Sequence, residues 1–506
     1  MSVVTGRNHE GHIWKERRSL TILLKECATA IPDAALYGDS NLDISGLEYN
    51  SQLIKPGYLF VAIRGFKHDG NQYIPDALAR GAVAVVTESR QDIPTPQIIV
   101  RDARSALADL AAGFYHYQSN DIKLCCVTGT NGKTTTCFLT RNILSARNKS
   151  TGLITSLVYD TGTDKIPADR TTPESLDIYR LLHLMKRNYC VNAVIEVSSH
   201  ALVLHRVKNL NVQVAVYTSF SRDHLDFHRD MEDYLDAKAK LLDMVADPAK
   251  WAIINYDSPE FRGLLKRVQC GHMTYSLDDH AADIHLENYR LDPNGSTFDL
   301  CTPMGQRNIR FKLPGRYNLY NALAASGAAL ASGIDIDTVV TGLENSTVIP
   351  GRLERVESSA PFTVFIDFAH TPDGLKRTIE AVREFTRGRI LTLFGCGGDR
   401  DRGKRPLMGE MVTSLSDFAL LTSDNPRTEE PLKIIEDVKA GLKPGIPVEI
   451  IPDRCQAIAA ILKMAREHDV VILAGKGAEE YQEIQGVKHP FRDILVAQEE
   501  LHKLGY

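Results

Sequence analysis

At 506 residues the chain is too long for a single hydrophobic core and divides into roughly three domains. Its 59 basic and 64 acidic residues leave a net charge of -5, which excludes a general electrostatic pull toward nucleic acid, so an anionic ligand needs a local basic pocket. Nine scattered cysteines without a C-x-x-C pair exclude a disulfide framework and a thiolate zinc site, while the polar start and the lack of any run near ~20 apolar residues exclude a signal peptide and a membrane span, so a reducing cytoplasm is expected.

Residues 1–118 read as a small α/β domain. Helical spacing over Leu20–Ala30 leads to strands at Ile44–Leu47 and Tyr58–Ala62, divided by the turn Lys55-Pro56-Gly57. A helix end at Arg80-Gly81 and a buried strand Ala82–Val86 follow. Asn50-Ser51 and the loop of residues 65–70 are polar stretches that read either as plain turns or as ligand contacts.

Residues 119–347 alternate strands and helices, as a parallel sheet with helices on both faces does. The centre of the chain lies here. The apolar run Leu124–Thr128 enters a tight loop, Gly129-Thr130-Asn131-Gly132-Lys133-Thr134-Thr135, and a helix starts on its threonines, so several backbone N–H groups converge on one spot suited to phosphate. Lys133 would reach the outer phosphates and the Thr134 hydroxyl a magnesium ion. Val127 stands where G-x-x-x-x-G-K-[ST] has its first glycine, but the flanking pattern favours an ATP-type site over an ordinary strand-to-helix turn.

The strand Ala193–Val197 buries a lone acid, Glu196, which is costly unless it faces a cation at the strand's carboxyl end. Taken alone His224 reads as a surface loop histidine, but a second strand, Val214–Thr218, empties into Ser221–Asp226 and brings it to the same sheet edge as Glu196. In the helix Met231–Met244, Lys238 reads as a solvated lysine. Trp251–Asn255 adds a strand, and Pro314–Ala322 opens an alanine-rich helix that could close over a nucleotide base.

Beyond this, Ile349–Arg355 reads as an interdomain hinge. Thr363–Asp367, Ile390–Phe394, Phe418–Thr422 and Asp469–Ala474 alternate with helices and predict a second open sheet of dinucleotide-fold type. Gly395–Asp399 lacks both the full G-x-G-x-x-G and the downstream acid, which excludes a nicotinamide site. Asp424–Arg427 and Gly475–Glu479 follow strands, where open sheets place ligands.

Taken in order, T-G-T-N-G-K-T-T-T at 128–136, T-T-P at 171–173, E-V-S-S-H at 196–200, S-R-D-H-L-D at 221–226, A-K-x-x-L at 237–241, P-G-R at 350–352, D-F-A-H-T-P-D at 367–373, G-G-D-R-D-R-G-K-R at 397–405, D-N-P-R at 424–427 and G-K-G-A-E at 475–479 resemble the Mur ligase family over nearly the whole chain. The resemblance implies an α/β fold of three domains: a small UDP-binding domain at 1–118, a central P-loop-type ATPase domain with a mainly parallel sheet at 119–347, and a C-terminal dinucleotide-fold-like, amino-acid-binding domain at 348–506. It implies that ATP, UDP-N-acetylmuramoyl-L-alanyl-D-glutamate and an amino acid give the UDP-linked tripeptide, ADP and phosphate. It also implies two magnesium ions and a Lys238 carbamylated by CO2, so that a carboxylate replaces an ammonium that would repel the metal.

By the same resemblance, Lys133, Lys238 and His224 are catalytic. Thr134 and Glu196 hold one magnesium, His224 and carbamylated Lys238 the other. Asn321, Arg352, Asp367 and His370 clasp ATP together with the glycine loop, and Ser51, the 65–70 loop, Thr171, Thr172, Ser198 and Arg206 contact the UDP-linked substrate. The chain departs from many relatives at Asn50-Ser51-Gln52, where they have Asp-Ser-Arg, at Leu204 for glutamine, at Phe368 for tyrosine, and at Ile494, where an arginine often stands.

The tetrad Asp424, Asn425, Pro426, Arg427 is the family's mark of enzymes that take meso-diaminopimelate, whereas relatives adding L-lysine usually differ there. Diaminopimelate has a second carboxylate, which an arginine fork binds with two parallel bonds. Arg427 and Arg400 should face it, with Asp424, Asn425, Gly475 and Glu479 meeting the ammonium group and backbone. Lysine would then be poorer by roughly 10²-fold. Among rivals, a P-loop phosphotransferase or nucleotide switch would need its own acceptor site or an N-K-x-D loop, which the chain lacks. Folylpolyglutamate synthetase shares the glycine loop, but the first domain and D-N-P-R argue against it. A monomer without nucleic-acid or membrane partners is expected.

Overall fold

The computed structural model describes residues 21–65, 68–118, 121–146, 150–292 and 294–506. The polar start, Leu20, and Phe66 and Lys67 of the 65–70 loop lie outside the described residues. The chain forms two compact units: Met1–Leu124 with Ser150–Ala193 and Val197–Asn211, and Cys125–Lys149 with Val194–Glu196 and Val212–Tyr506. No described helix is long and apolar enough to cross a membrane, and all nine cysteines are free thiols.

The first unit holds a five-stranded sheet in the order Ala35–Tyr37, Gln97–Ile99, Ala82–Thr87, Tyr58–Val61, Gly46–Glu48. Its strands pair in parallel except at Ala35–Tyr37. The helix Ala103–Phe114 starts where the Asp102 carboxylate accepts from the backbone N–H of Arg104 and Ser105, the usual way a short acid satisfies a helix's free donors. Ion pairs tie this part of the chain to the helix Ser175–Arg187 of the same unit. Arg180 meets Glu48 at 2.9 Å, and the Tyr49 hydroxyl donates to Asp177 at 2.6 Å. A long-reach arginine buried against a carboxylate costs desolvation, and the additional bond from Arg180 to the Leu47 carbonyl at 2.7 Å offsets part of that cost.

In the second unit the strands Asn192–Glu196, Lys123–Thr128, Val212–Tyr217, Trp251–Asn255 and Gly271–Ser276 lie side by side in that order, the last three in parallel register. The unit carries all but the opening residues of the first two. The continuation is antiparallel: Ile284–Asp292, Gly295–Thr302 and Gly305–Phe311 form a meander. Sequence reasoning missed this meander because its polar outer face, with residues such as Glu287, Asn288 and Asn308, breaks the apolar runs that mark the buried strands. The helix Arg316–Ala331 is buried on nearly every side, so its small alanines carry no polar face.

A second sheet in the same unit runs Glu354–Arg355, Thr363–Asp367, Val470–Ala474, Ile390–Phe394, Phe418–Leu421, Val448–Ile450. All pairs are parallel except that of Glu354–Arg355, so the end of the expected hinge is itself a strand fixed to Phe365 and Ile366. Fully buried runs such as Val470–Ala474 are what a sheet covered on both faces requires. The hairpin Tyr481–Ile484 with Val487–Pro490 was not foreseen.

Candidate active site

The loop after Lys123–Thr128 turns on Gly132, whose φ of +86° belongs to the left-handed region. A Cβ there would lie 2.5 Å from Asn321 Oδ1, so glycine is required on both counts. Asn321 thus comes against the phosphate loop, its Oδ1 also accepting from Thr136 at 3.3 Å. Asn131 is held by its N–H to Ser219 Oγ at 2.9 Å and by Nδ2 to Asp373 at 2.8 Å. Thr130 bonds the Ser221 backbone and the Tyr234 hydroxyl. Thr135 is buried in the first turn of the helix Lys133–Ser145.

Thr134 donates to Glu196 Oε2 at 3.0 Å, so the lone acid of the buried strand does reach the loop. Lys133 Nζ donates to the Gly129 carbonyl at 3.1 Å and the Thr130 carbonyl at 2.8 Å. Burial pulls its ammonium below the ordinary lysine range, against the opposing influence of Glu196 and Asp223.

Lys238 corrects the sequence reading. It is 1 % exposed, not solvated, and its Nζ donates to the same Gly129 carbonyl at 2.9 Å. The A-K-x-x-L run places it on the inward face of the helix Met231–Asp243, a face that periodicity alone assigned to solvent because lysine occupies it. Burial first, and the neighbouring Lys133 second, push its amine well below the usual range, with Asp223 pulling the other way. Two ammonium groups sharing one carbonyl repel each other, which adds to the cost of burying them. His224 takes a left-handed φ of 56°, lies 3.5 Å from Asp223, and has its ring edge-on to Tyr234.

From the 349–370 region, Arg352 donates to Thr134 Oγ1 at 3.1 Å, and among the described residues its buried Nε has no partner. Its guanidinium lies 4.6 Å from the Phe368 ring centroid, so the phenylalanine found in place of tyrosine keeps a cation–π face. Asp367 is buried, and its oxygens accept from Leu353 N at 2.7 Å, Ala369 N at 2.9 Å and Thr378 Oγ1 at 3.0 Å. Its carboxylate is thereby committed to shaping the turn that carries Arg352. His370, burial-depressed to about 4 with help from Lys404, is neutral, and its Nδ1 lies 2.8 Å from the Phe368 carbonyl.

At the carboxyl ends of the second sheet, Asp424 Oδ1 accepts from Asn425 N at 2.6 Å. A Cβ on Gly475, at φ +113°, would fall 2.5 Å from Asp424 Oδ2. Asn425 joins Glu479 at 2.7 Å, and Lys476, fully buried, bridges both at 3.1 and 2.8 Å. Arg427, at φ 53°, donates to the Gly398 carbonyl at 2.6 Å, with Pro426 preceding it. Burial and then the like charge of Arg427 depress Arg400, with Asp226, Asp399 and Glu483 opposing, and Arg427 lies 3.6 Å from Glu483.

The remaining expected residues lie in the first unit. Ser51 is buried and hydrogen-bonded to Asp76. Thr172 Oγ1 accepts from Ser198 N at 3.1 Å, and Arg206 donates to the Thr172 carbonyl at 3.0 Å, with half-buried Thr171 adjacent. Sequence reasoning missed Lys476, Asp373, Tyr234 and Asp223 as parts of these constellations. Asp373 and Lys476 lie inside motifs already singled out, so the signal was present but unassigned.

Known proteins resemble the chain over most of its length. Residues 43–115 match the description "Mur ligase family, catalytic domain", 127–329 "Mur ligase middle domain" and 351–477 "Mur ligase, glutamate ligase domain". The chain is 42% identical over 467 residues to the UDP-N-acetylmuramoyl-L-alanyl-D-glutamate--2,6-diaminopimelate ligase of Caldanaerobacter subterraneus subsp. tengcongensis, spanning 91% of this chain and 95% of that one. A solved structure of a UDP-N-acetylmuramoyl-L-alanyl-D-glutamate--2,6-diaminopimelate ligase superposes with a TM-score of 0.66 at 29% identity, covering 96% of this chain and 100% of that one. The MurF ligase of Thermotoga maritima in complex with ADP does so with a TM-score of 0.65 at 18% identity, covering 90% and 98%, a likeness of fold.

Proposed function

Because the chain belongs to the Mur ligase family, we propose that it joins meso-diaminopimelate to UDP-N-acetylmuramoyl-L-alanyl-D-glutamate at the expense of ATP, a step of peptidoglycan precursor synthesis. The observation that carries this reading is the convergence of Lys133, Lys238, Thr134 with Glu196, and Arg352 around one glycine loop. The proposed domains are 1–118 for the UDP-linked substrate, 119–347 for ATP and 348–506 for the amino acid.

The donor set suits magnesium, since a hydroxyl and a carboxylate oxygen already lie 3.0 Å apart in a buried setting. Thr134 and Glu196 would hold one ion. His224 and Lys238 would hold a second once the depressed amine of Lys238 has added CO2 to become a carbamate, because an ammonium there fits no cation. When bound, magnesium supplies charge neutralisation for the phosphate oxygens.

A carboxylate is a poor acylating agent, so the substrate's D-glutamate side-chain carboxylate attacks the γ-phosphorus of ATP, and ADP leaves with the electron pair of the broken P–O bond. The amine of diaminopimelate then attacks the acyl phosphate carbon, loses a proton, and expels phosphate through a tetrahedral intermediate. Both partners of the first step are anions. Lys133 and the unpartnered Nε edge of Arg352 offset that repulsion, and Asn321 and neutral His370 line the nucleotide side. Asp367 acts as a positioning residue through the 351–353 turn. Closure about residues 349–353 would exclude water from the acyl phosphate.

The arginine pair Arg400 and Arg427 supports selection of the second carboxylate of diaminopimelate, Asp424, Asn425, Gly475 and Glu479 framing the ammonium end. Ser51, Thr171, Thr172, Ser198 and Arg206 take the UDP-linked substrate. The protein works as a monomer in the cytoplasm, a compartment that suits nine free thiols. The test supplies ATP, magnesium, the UDP-linked dipeptide and either meso-diaminopimelate or L-lysine, and measures ADP, phosphate and tripeptide. One ADP and one phosphate per amide are expected, with lysine poorer by roughly 10²-fold. Equal use of both amino acids overturns the assignment of the arginine pair, and no ADP with all reactants present overturns the ligase reading.

A further inference from the structure

Away from the glycine loop, on the turn and first antiparallel strand that follow Gly271–Ser276, the side chains of His280, His285 and Glu287 come together. One ligand atom from each lies within 4.8 Å of the others. We propose that these three residues form a binding site for a borderline-soft divalent cation of the zinc class. The spacing follows from the local fold. His285 and Glu287 are two residues apart on the strand Ile284–Asp292 and so share a face, while His280 approaches from the turn before it.

Three features favour a metal over a chance surface cluster. First, His285 Nδ1 lies 3.1 Å from the Ala282 carbonyl, and only a protonated Nδ1 can make that bond, which leaves Nε2 with its lone pair free to ligate. Second, the His280 and His285 rings are neighbours, with centroids 5.1 Å apart, and the exposed His280 side chain has room to turn its nitrogen toward an ion beside His285 and Glu287. Third, Glu287 enters no ion pair among the described residues and has only a long 3.5 Å contact from Gln306. Its charge is available to a cation.

The turn carrying His280 is held before any ion arrives. The N–H groups of Asp278 and Asp279 both donate to Ser276 Oγ, at 2.9 and 2.6 Å, and Asp283 accepts from Thr274 N at 2.7 Å. Zinc bound tetrahedrally at about 2.0–2.1 Å requires donors about 3.4 Å apart, so atoms now within 4.8 Å of one another close by up to about 1.4 Å. Two imidazoles and one carboxylate suit zinc or its neighbours far better than magnesium or calcium, which prefer all-oxygen shells. Three protein ligands leave the fourth position to water.

The test uses the full chain stripped with EDTA and titrated with Zn2+ by calorimetry, beside the variants His280→Asn and His285→Gln. Zinc bound at the glycine-loop site is common to all three and subtracts out. Wild type is expected to bind one equivalent that each variant binds at least tenfold more weakly, and Co2+ at that equivalent should give tetrahedral visible absorption that the variants lack. Since His280 is exposed, His280→Asn keeps the fold, and the variants' amide-forming activity in magnesium is expected to be unchanged. Equal stoichiometry and affinity in wild type and His280→Asn overturn the site.

Discussion

Each unit gathers cations around one acceptor, but with opposite chemistry. In the first, Glu174 meets Arg104 at 3.2 Å, Arg170 at 2.9 Å and Arg206 at 2.9 Å, and among the described residues the buried Arg206 Nε has no partner. In the second, Lys133 and Lys238 both donate to the Gly129 carbonyl. Burial depresses Arg206, with Glu174 opposing, and depresses Lys238 much further. A guanidinium that is pushed down still carries its charge at neutral pH, whereas a lysine amine held well below its ordinary range releases its proton far more readily. The first cluster therefore keeps its positive charge, as the proposed binding of the UDP-linked substrate requires. In the second, burial loosens the Lys238 proton more than that of Lys133, which is what the proposed carbamylation needs.

The comparison breaks most visibly at the lysines. Lys133→Ala should lower ADP release by roughly 10³-fold, and Lys238→Arg should fail to restore a Lys238→Ala loss because a guanidinium cannot give a carbamate. A Lys238→Arg chain with near wild-type turnover would erase the distinction between the clusters.

Next in size, Glu174→Gln leaves three neighbouring cations without their carboxylate and should cost about 3 kcal/mol of stability, read from urea unfolding. In the same variant the KM for the UDP-linked substrate should change while kcat with saturating substrate holds. Arg427→Lys tests whether a fork rather than a charge is needed at the amino-acid end. Use of meso-diaminopimelate should fall roughly 10²-fold in kcat/KM, with L-lysine little affected.

The smallest effect sharpens the Lys238 side of the comparison. In CO2-free buffer burial holds the Lys238 amine well below the value of about 10.4 that it has in the unfolded chain. The unfolded chain then binds the extra proton, so stability rises with pH and is lost as pH falls toward the depressed value, at up to about 1.4 kcal/mol per pH unit. Lys238→Met should flatten that dependence below about pH 10. Identical slopes for the two chains would mean that Lys238 keeps its proton in the fold.

Much of this was legible beforehand. The strand-loop-helix around Lys133, the buried Glu196 and the strands of the second sheet announce themselves through apolar runs ending in glycine or acid, because local sterics and burial of a charge leave a mark on the neighbouring residues. The antiparallel strands from Ile284 to Phe311 did not, since a sheet with one wet face alternates weakly and its pairing partners are distant in sequence.

The sequence by itself determined the order of elements, the glycine loop and the motifs that mark the family. These depend on residues close together along the chain. Only the tertiary structure decided that Lys238 is buried against Gly129, that Asp367 is spent on the 351–353 turn, and that Glu174 gathers three arginines. Burial and partnership are set by what packs across the fold from tens to hundreds of residues away, and a side chain's charge state follows from that packing rather than from its type.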